Sequence, residues 1–189
     1  MSPAGSARQP FKKNTLMDTL KAIKTRRSIR RYTSREVSRE QVDGLLEAAM
    51  YAPSARNEQP WHFVVVTERE LLDRLMKAHP YASMLVDAPL AILVCGDTNL
   101  EKSKGYWPVD CSAATQNILL AAHAGGLGSV WLGVYPRNER IEAIRSIFSL
   151  PANIQPFSLI ALGYPAEEKV VTDRFKPERI HINGWEWGK

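Results

Sequence analysis

Apolar residues recur at helical spacing in five stretches of this chain and gather into short unbroken runs in four others. Leu16, Leu20 and Ile23 mark one face of a first helix, capped by Asn14 or Thr15, with Asp18 in its first turn and an end near Thr25. Ser38-Arg39-Glu40-Gln41 reads as a capping box opening a second helix. Its stripe is Val42, Leu45, Leu46, Ala49 and Met50, and Pro53 stops it. Phe63 to Val66 predicts a buried strand. Thr67-Glu68-Arg69-Glu70 reads as another capping box, for a helix carrying Leu71, Leu72, Leu75 and Met76 and ending before Pro80. Leu90 to Cys95 predicts a second strand.

Val109 to Ala124 is rich in Ala and Leu with few charges, which predicts a central helix apolar nearly all round, terminated by Gly125-Gly126. Ser129 to Leu132 and Phe157 to Leu162 predict two more strands, separated by a helix from Arg137 to Phe148 with Ile141, Ile144 and Phe148 facing inward. Arg179 to Ile182 is a candidate last strand. Gly96 to Trp107 mixes Gly, Asp, Asn, Ser and Lys and reads as a functional loop. Too many helices separate too few strands for a regular doubly wound sheet. The expected fold is therefore α+β, with helices on both faces of a small mixed sheet.

Composition narrows this picture. The 189 residues are 44% hydrophobic, enough for the core of one domain, here residues 14–189, preceded by a flexible polar arm at 1–13. The longest clean apolar run, Leu90 to Cys95, is far too short to span a bilayer. The N-terminus lacks the basic-then-apolar pattern of a secretory signal. Cys95 and Cys111 fall in apolar stretches without Cys-x-x-Cys spacing, which predicts reduced, packed thiols in a cytoplasmic protein.

The net charge of +5 is uneven: residues 1–40 hold 11 Lys or Arg against 3 Asp or Glu. Such a basic segment is either a nucleic-acid arm or a set of arginines around a bound phosphate. Aromatic interleaving there is thin, with only Phe11 and Tyr32, which disfavours a single-strand binder.

Several chemistries lack their signatures. There is no Gly-x-x-x-x-Gly-Lys and no Gly-x-Ser-x-Gly. His62, His79, His123 and His181 are isolated, so no metal site is expected. Gly125-Gly126-Leu127-Gly128 follows a helix and precedes a strand, the wrong polarity for a dinucleotide fingerprint.

Two segments remain. In Arg26-Arg27-Ser28-Ile29-Arg30, an extended backbone would put Arg26, Ser28 and Arg30 on one side, suited to phosphate and hydroxyl oxygens. A solvated basic surface is the alternative. In Pro53-Ser54-Ala55-Arg56-Asn57-Glu58-Gln59-Pro60-Trp61-His62-Phe63, amides and hydroxyls crowd a loop that Pro60 steers into a strand. An ordinary helix-to-strand turn is the alternative there.

These two motifs, followed by Gly126-Leu127-Gly128-Ser129-Val130-Trp131-Leu132-Gly133 after an Ala-rich helix, resemble the FMN-dependent nitroreductase family from about Leu16 to Ile182. The resemblance implies a layered homodimer with flavin at the interface. Arg26, Arg27, Ser28 and Arg30 would bind FMN phosphate, ribityl and pyrimidine groups from one subunit. Pro53, Ser54, Ala55 and Asn57 would reach it from the other. Asp110 matches a position that touches the flavin across the interface, where some relatives carry an amide. Trp131, Leu132 and Gly133 match the strand end that packs on the ring, with a backbone N–H near Gly133 donating to flavin N5. Arg174 best matches a phosphate-binding arginine; a lysine of some relatives is replaced by Thr172, for which Lys169 or Lys176 would compensate. Trp61 and Phe63 read as core, and Trp185 and Trp187 as anchors on a partner subunit.

The implied activity is a ping-pong NAD(P)H-dependent flavin oxidoreductase reducing nitroaromatics, quinones or similar small acceptors, with no catalytic side chain. Gly96 to Trp107 would cover the substrate, offering Lys102, Lys104, Tyr106 and Trp107. Competing readings are a non-catalytic flavin-binding or storage protein, and a dehalogenase or flavin-degrading relative of the same fold. The longer charged lid expected of deiodinases is not evident.

Overall fold

A computed structural model describes residues 17–185. The predicted N-terminal arm, the caps at Asn14 or Thr15, Leu16 and Trp187 lie outside the described residues. The elements run α1 (Thr19–Thr25), α2 (Arg39–Met50), β1 (Trp61–Val66), α3 (Arg69–Ala78), β2 (Leu90–Asp97), α4 (Trp107–Ala124), β3 (Gly128–Gly133), α5 (Asn138–Phe148) and β4 (Ile154–Gly163). Short 3-10 turns lie at Ala55–Asn57, Ser83–Val86 and Pro177–Arg179.

The four strands form one sheet in the order β1-β2-β4-β3, each adjacent pair antiparallel. The mixture expected of the sheet is confined to one parallel bridge, Ser28 to Ser129, beside the edge strand β3. β2 is buried along Leu90 to Gly96 because helices cover both faces. Ala91 and Leu93 point to the core shared with α3 and α5; Leu90, Ile92 and Val94 point to the core shared with α2 and α4. Alternation along β4 matches, with Leu159 and Ala161 on the first side and Ile160 and Leu162 on the second. Each fully buried Leu or Ile contributes about 1.5–3 kcal/mol of burial free energy.

Helix starts follow local chemistry. The Ser38 box forms as predicted, with Ser38 Oγ accepting from Gln41 N–H and Gln41 Oε1 accepting from Ser38 N–H. The box expected at Thr67 does not form: α3 starts at Arg69 from Glu68, without a side-chain cap. α1 starts later than expected, because Asp18 accepts the Lys21 N–H and so is itself the cap. α4 starts at Trp107, two residues early, since Pro108 suits a first turn. It is buried along most of its length and places Thr115 against Ser158 at 3.0 Å, a polar pair satisfied inside the layer.

After β4 the chain pairs briefly with residues 31–33 and then runs over the surface. Arg179 to Ile182 is not a strand here; its first residue closes a 3-10 turn. Among the described residues no helix is long and apolar enough to cross a membrane. Cys95 and Cys111 are free and buried, and burial raises both thiols, Cys95 to about 12.

Candidate active site

The basic segment leaves α1 as an extended strip along the edge of β3. Arg26 is the C-cap of α1. Ser28 bridges Ser129, the Ile29 N–H donates to the Ser129 carbonyl, and Ile29 packs on Gly128 so closely that an added Cβ would sit 2.7 Å from it. Tyr32 is buried and donates its hydroxyl proton between the carbonyls of Ile29, at 2.6 Å, and Ala161, at 3.1 Å. The strip is thereby fixed although it belongs to no regular strand.

Its arginines separate by role. Arg27 spends its guanidinium on carbonyls, those of Lys24 and Arg26 beside it and those of Val170 and Thr172 in the C-terminal segment. That stitching brings Arg174 to Arg26. Burial lowers the pKa of Arg26, and the positive charges of Arg174 and Arg27 lower it further. Among the described residues no carboxylate pairs with Arg26, Arg27 or Arg174 within 4 Å. Three crowded guanidiniums, none of them in an ion pair, suit an anion. Arg27 and Arg174 also line a cavity of about 690 Å³ with Lys24, Asp173, Val171 and Phe175. Lys169, expected to compensate for Thr172, is engaged by Glu167 at 2.7 Å, and the Arg30 N–H donates to the same carboxylate at 2.6 Å. The Lys169 contact, followed by the Arg30 N–H, holds Glu167 below the usual carboxylate range.

Arg30 opens onto a second cavity, of about 440 Å³, where it meets Trp131, Leu132 and Gly133. Its far wall is His79, Tyr81 and Ser83. Gly133 has nothing within 4 Å of where a Cβ would stand, so the end of β3 offers bare backbone to this space. A planar ring with one polar edge fits such a cleft, between a guanidinium and an open peptide edge.

The polar loop lies elsewhere on the chain. Arg56, Asn57 and Gln59 all have positive φ, near 50°, 58° and 49°. For three non-glycine residues this is strained backbone, of order 1 kcal/mol or more each. Neighbours hold it in place. Ser54 Oγ accepts the Gln59 N–H, and the Gln59 amide donates to Asn57 Oδ1 at 3.1 Å. Asp110, 4% exposed, accepts the Ala55 N–H at 3.0 Å. Burial above all raises the Asp110 pKa; the Ala55 bond opposes it, and Glu58 and Glu101 add to it. Its second oxygen has no hydrogen-bond partner. Glu58 in turn accepts from the Lys102 and Ser103 N–H groups and the Ser103 hydroxyl, tying the loop after β2 to this one. Pro53 and Asn57 are exposed.

One expected cover residue is placed otherwise. Trp107 is buried, edge-on to Tyr135 and Phe157, with its ring filling the space above Gly96. Tyr106, Lys102 and Lys104 remain exposed on the loop. Trp61 is core, Phe63 half-buried beside it, and Trp185 exposed. His79, Tyr81 and Arg140 around Gly133 were not foreseeable: a histidine at a helix end before a proline carries no site signal. Among the described residues no cluster of metal-ligating side chains occurs, and the four histidines stand apart from one another.

Comparison with known proteins shows the fold and the family. The chain matches the family model described as "Nitroreductase family" over residues 23–80 and 77–164. It is 57% identical to a "Putative NADH dehydrogenase/NAD(P)H nitroreductase" of Methanothermobacter thermautotrophicus over 89% of this chain and 88% of that one. Its fold superposes on an "FMN-dependent Nitroreductase" from Clostridium difficile with a TM-score of 0.82 and 32% identity, over 88% of this chain and 99% of that one. A Desulfovibrio desulfuricans structure, described as a "putative nitroreductase in complex with fmn", superposes at 0.78 with 35% identity, over 90% and 99%. The family match spans most of the chain, and the chain belongs to the nitroreductase family.

Proposed function

We propose that this protein is an FMN-dependent oxidoreductase that uses NAD(P)H to reduce nitroaromatics, quinones or similar small acceptors by a ping-pong sequence. The observation that carries the reading is the cluster of Arg26, Arg27 and Arg174, none of them ion-paired among the described residues, leading by way of Ser28 and Arg30 to the open backbone at Gly133. FMN bound there supplies hydride acceptance and donation, which no side chain of the chain needs to perform.

The chain's own groups bind and orient. Arg26 and Arg174 neutralise the phosphate, with Arg27 locking the segment that carries Arg174. Ser28 offers a hydroxyl to the ribityl chain, and Arg30 a cation to the pyrimidine edge, where charge gathers on reduction. Trp131, Leu132 and Gly133 form the floor under the ring, and the Gly133 N–H serves N5.

The protein works as a homodimer with the flavin at the interface. Pro53, Ser54, Ala55 and Asn57 sit on a loop braced from behind by Asp110, and reach the flavin of the partner subunit. Tyr51, Val170 and Trp185 are 80%, 82% and 83% exposed in the single chain, and Leu20, Ile23, Val109 and Ile182 are also open. So much exposed apolar surface on a 189-residue chain supports burial against a second copy. The free buried thiols fit a cytoplasmic setting.

The test is direct. Purified protein should be a yellow dimer that releases FMN on heating and oxidises NADH or NADPH when menadione or a nitrofuran is supplied. Parallel double-reciprocal plots would establish the ping-pong order. A colourless monomer after incubation with excess FMN overturns the proposal; bound FMN without acceptor-dependent turnover favours a storage role.

A further inference from the structure

The carbonyl oxygen of Gly133 is held by two donors from two different helices. His79 Nε2 lies 2.9 Å from it and Arg140 Nη1 2.7 Å. His79 caps the C-terminus of α3 and is 1% exposed; Arg140 sits in the first turn of α5. The other ring nitrogen of His79, Nδ1, accepts the Tyr81 N–H at 3.2 Å. A peptide N–H only donates and a carbonyl only accepts, so both contacts are met by one form of the ring: neutral, with its proton on Nε2. Beyond the carbonyl, the N–H groups of Val134 and Tyr135 both donate to Phe157. The peptide unit after Gly133 is therefore fixed at its oxygen and at its nitrogen. A terminal glycine with open space on its side-chain face would otherwise be the loosest point of β3.

We propose that His79 is a positioning residue for hydride transfer, which, with Arg140 as second donor, sets the orientation of the Gly133 backbone against flavin N5. The inference rests on the flavin reading above, which assigns N5 to the Gly133 N–H. Tyr81 belongs to the same device. Its N–H fixes the imidazole, its ring lies under the Arg140 guanidinium at 5.3 Å, and its side chain borders the cavity. Loss of His79 leaves the oxygen with the single donor on the more exposed side, and the strand end swings. Misplacement of reacting groups by about 1 Å is worth about a hundredfold in rate.

Three variants, read both without and with FMN, test this. In the protein without FMN, nitrogen NMR should find His79 protonated at Nε2 and bare at Nδ1, and amide exchange at Gly133 and Val134 should quicken at least tenfold in His79→Ala. In the FMN-loaded protein, His79→Ala should slow flavin reduction by NADH at least tenfold while FMN affinity stays within about threefold. His79→Gln, which restores an N–H donor, should recover most of that rate. Arg140→Ala covers the case in which His79→Ala does not fold, and should shift exchange and rate the same way by a smaller factor. Unchanged exchange and an unchanged reduction rate in the folded variants overturn the proposal, as does a His79 protonated at Nδ1. If wild-type protein binds no FMN, the flavin reading falls, and with it the role at N5. The exchange result then still separates a held Gly133 peptide from a free one.

Discussion

The carboxylate of Asp110, at the start of α4, is bonded to the backbone N–H of Ala55, far away in sequence but 3.0 Å away in space. One buried charge thus braces a loop whose next residue is already in a left-handed conformation. The brace is expensive, since the second oxygen of Asp110 has no partner and two further acids lie nearby.

Asp110→Asn should therefore stabilise the protein at neutral pH. The folded state raises the pKa of this carboxyl, so it holds a proton that the unfolded chain has already released. Stability then falls as pH climbs from the ordinary carboxylate value, about 3.9, through the raised one. The amide keeps an acceptor for Ala55 and has no charge to desolvate. Melting temperatures from pH 4 to 8 should show the variant above wild type at pH 7 and the two curves converging near pH 4. A variant less stable at pH 7 would mean that the charge is compensated in a way the fold conceals.

Arg26→Ala and Arg174→Ala should each weaken FMN binding by about 10- to 100-fold, the effect of losing about 1.5–3 kcal/mol of charge-assisted hydrogen bonding. Flavin fluorescence titration reads this directly. Raising salt should weaken wild-type binding more than that of either variant. Full retention in both variants would place the phosphate elsewhere.

Gly128→Ala tests the link between the sheet and the basic strip. The new Cβ would meet Ile29 at 2.7 Å, and Ile29 cannot retreat without pulling at the Ser28 bridge. Overpacking of this kind costs about 1–3 kcal/mol. Urea denaturation should show a loss of that size, accompanied by poorer flavin retention. Lost stability with unchanged retention would uncouple the two.

A pH effect of opposite sign should come from His79. Burial lowers its pKa, with the Gly133 bond opposing and the nearby Arg140 adding to the fall. The unfolded chain therefore binds a proton that the folded one refuses, and stability drops as pH falls from about 6.5 towards the lowered value. His79→Gln should flatten that part of the profile between pH 7 and 5. His123, lowered by burial and by Arg26 and Arg27, bends the curve the same way, so the variant must be compared with its own parent. An identical slope in both would remove His79 as the source.

Much of this architecture can be read from local pattern. The Ser38 box, the buried run at Leu90 and the nearly all-apolar helix ending at Gly125 are strong because one local rule decides each. Thr67 failed as a cap because the helix began one residue further on, where Glu68 met the geometry without its side chain. Trp107 read as a loop aromatic and proved to be core, since nothing local announces that Gly96 leaves room for its ring. The arginine strip was legible by residue type, but the division of labour within it was not. Arg27 binds carbonyls of a segment that sequence distance hides. His79 escaped for the same reason, as its partners come from the far end of β3 and from α5.

The hold that Arg27 keeps on Val170 and Thr172 has a bearing on how the molecule matures. Arg26 caps α1 and Arg174 lies beyond β4, so the corner they share is assembled from segments far apart in sequence. A chain that has built its sheet and both cores still lacks that corner until the stretch after β4 docks on Arg27. The charge cluster thus depends on the docking of that segment and not on the packing of the sheet alone.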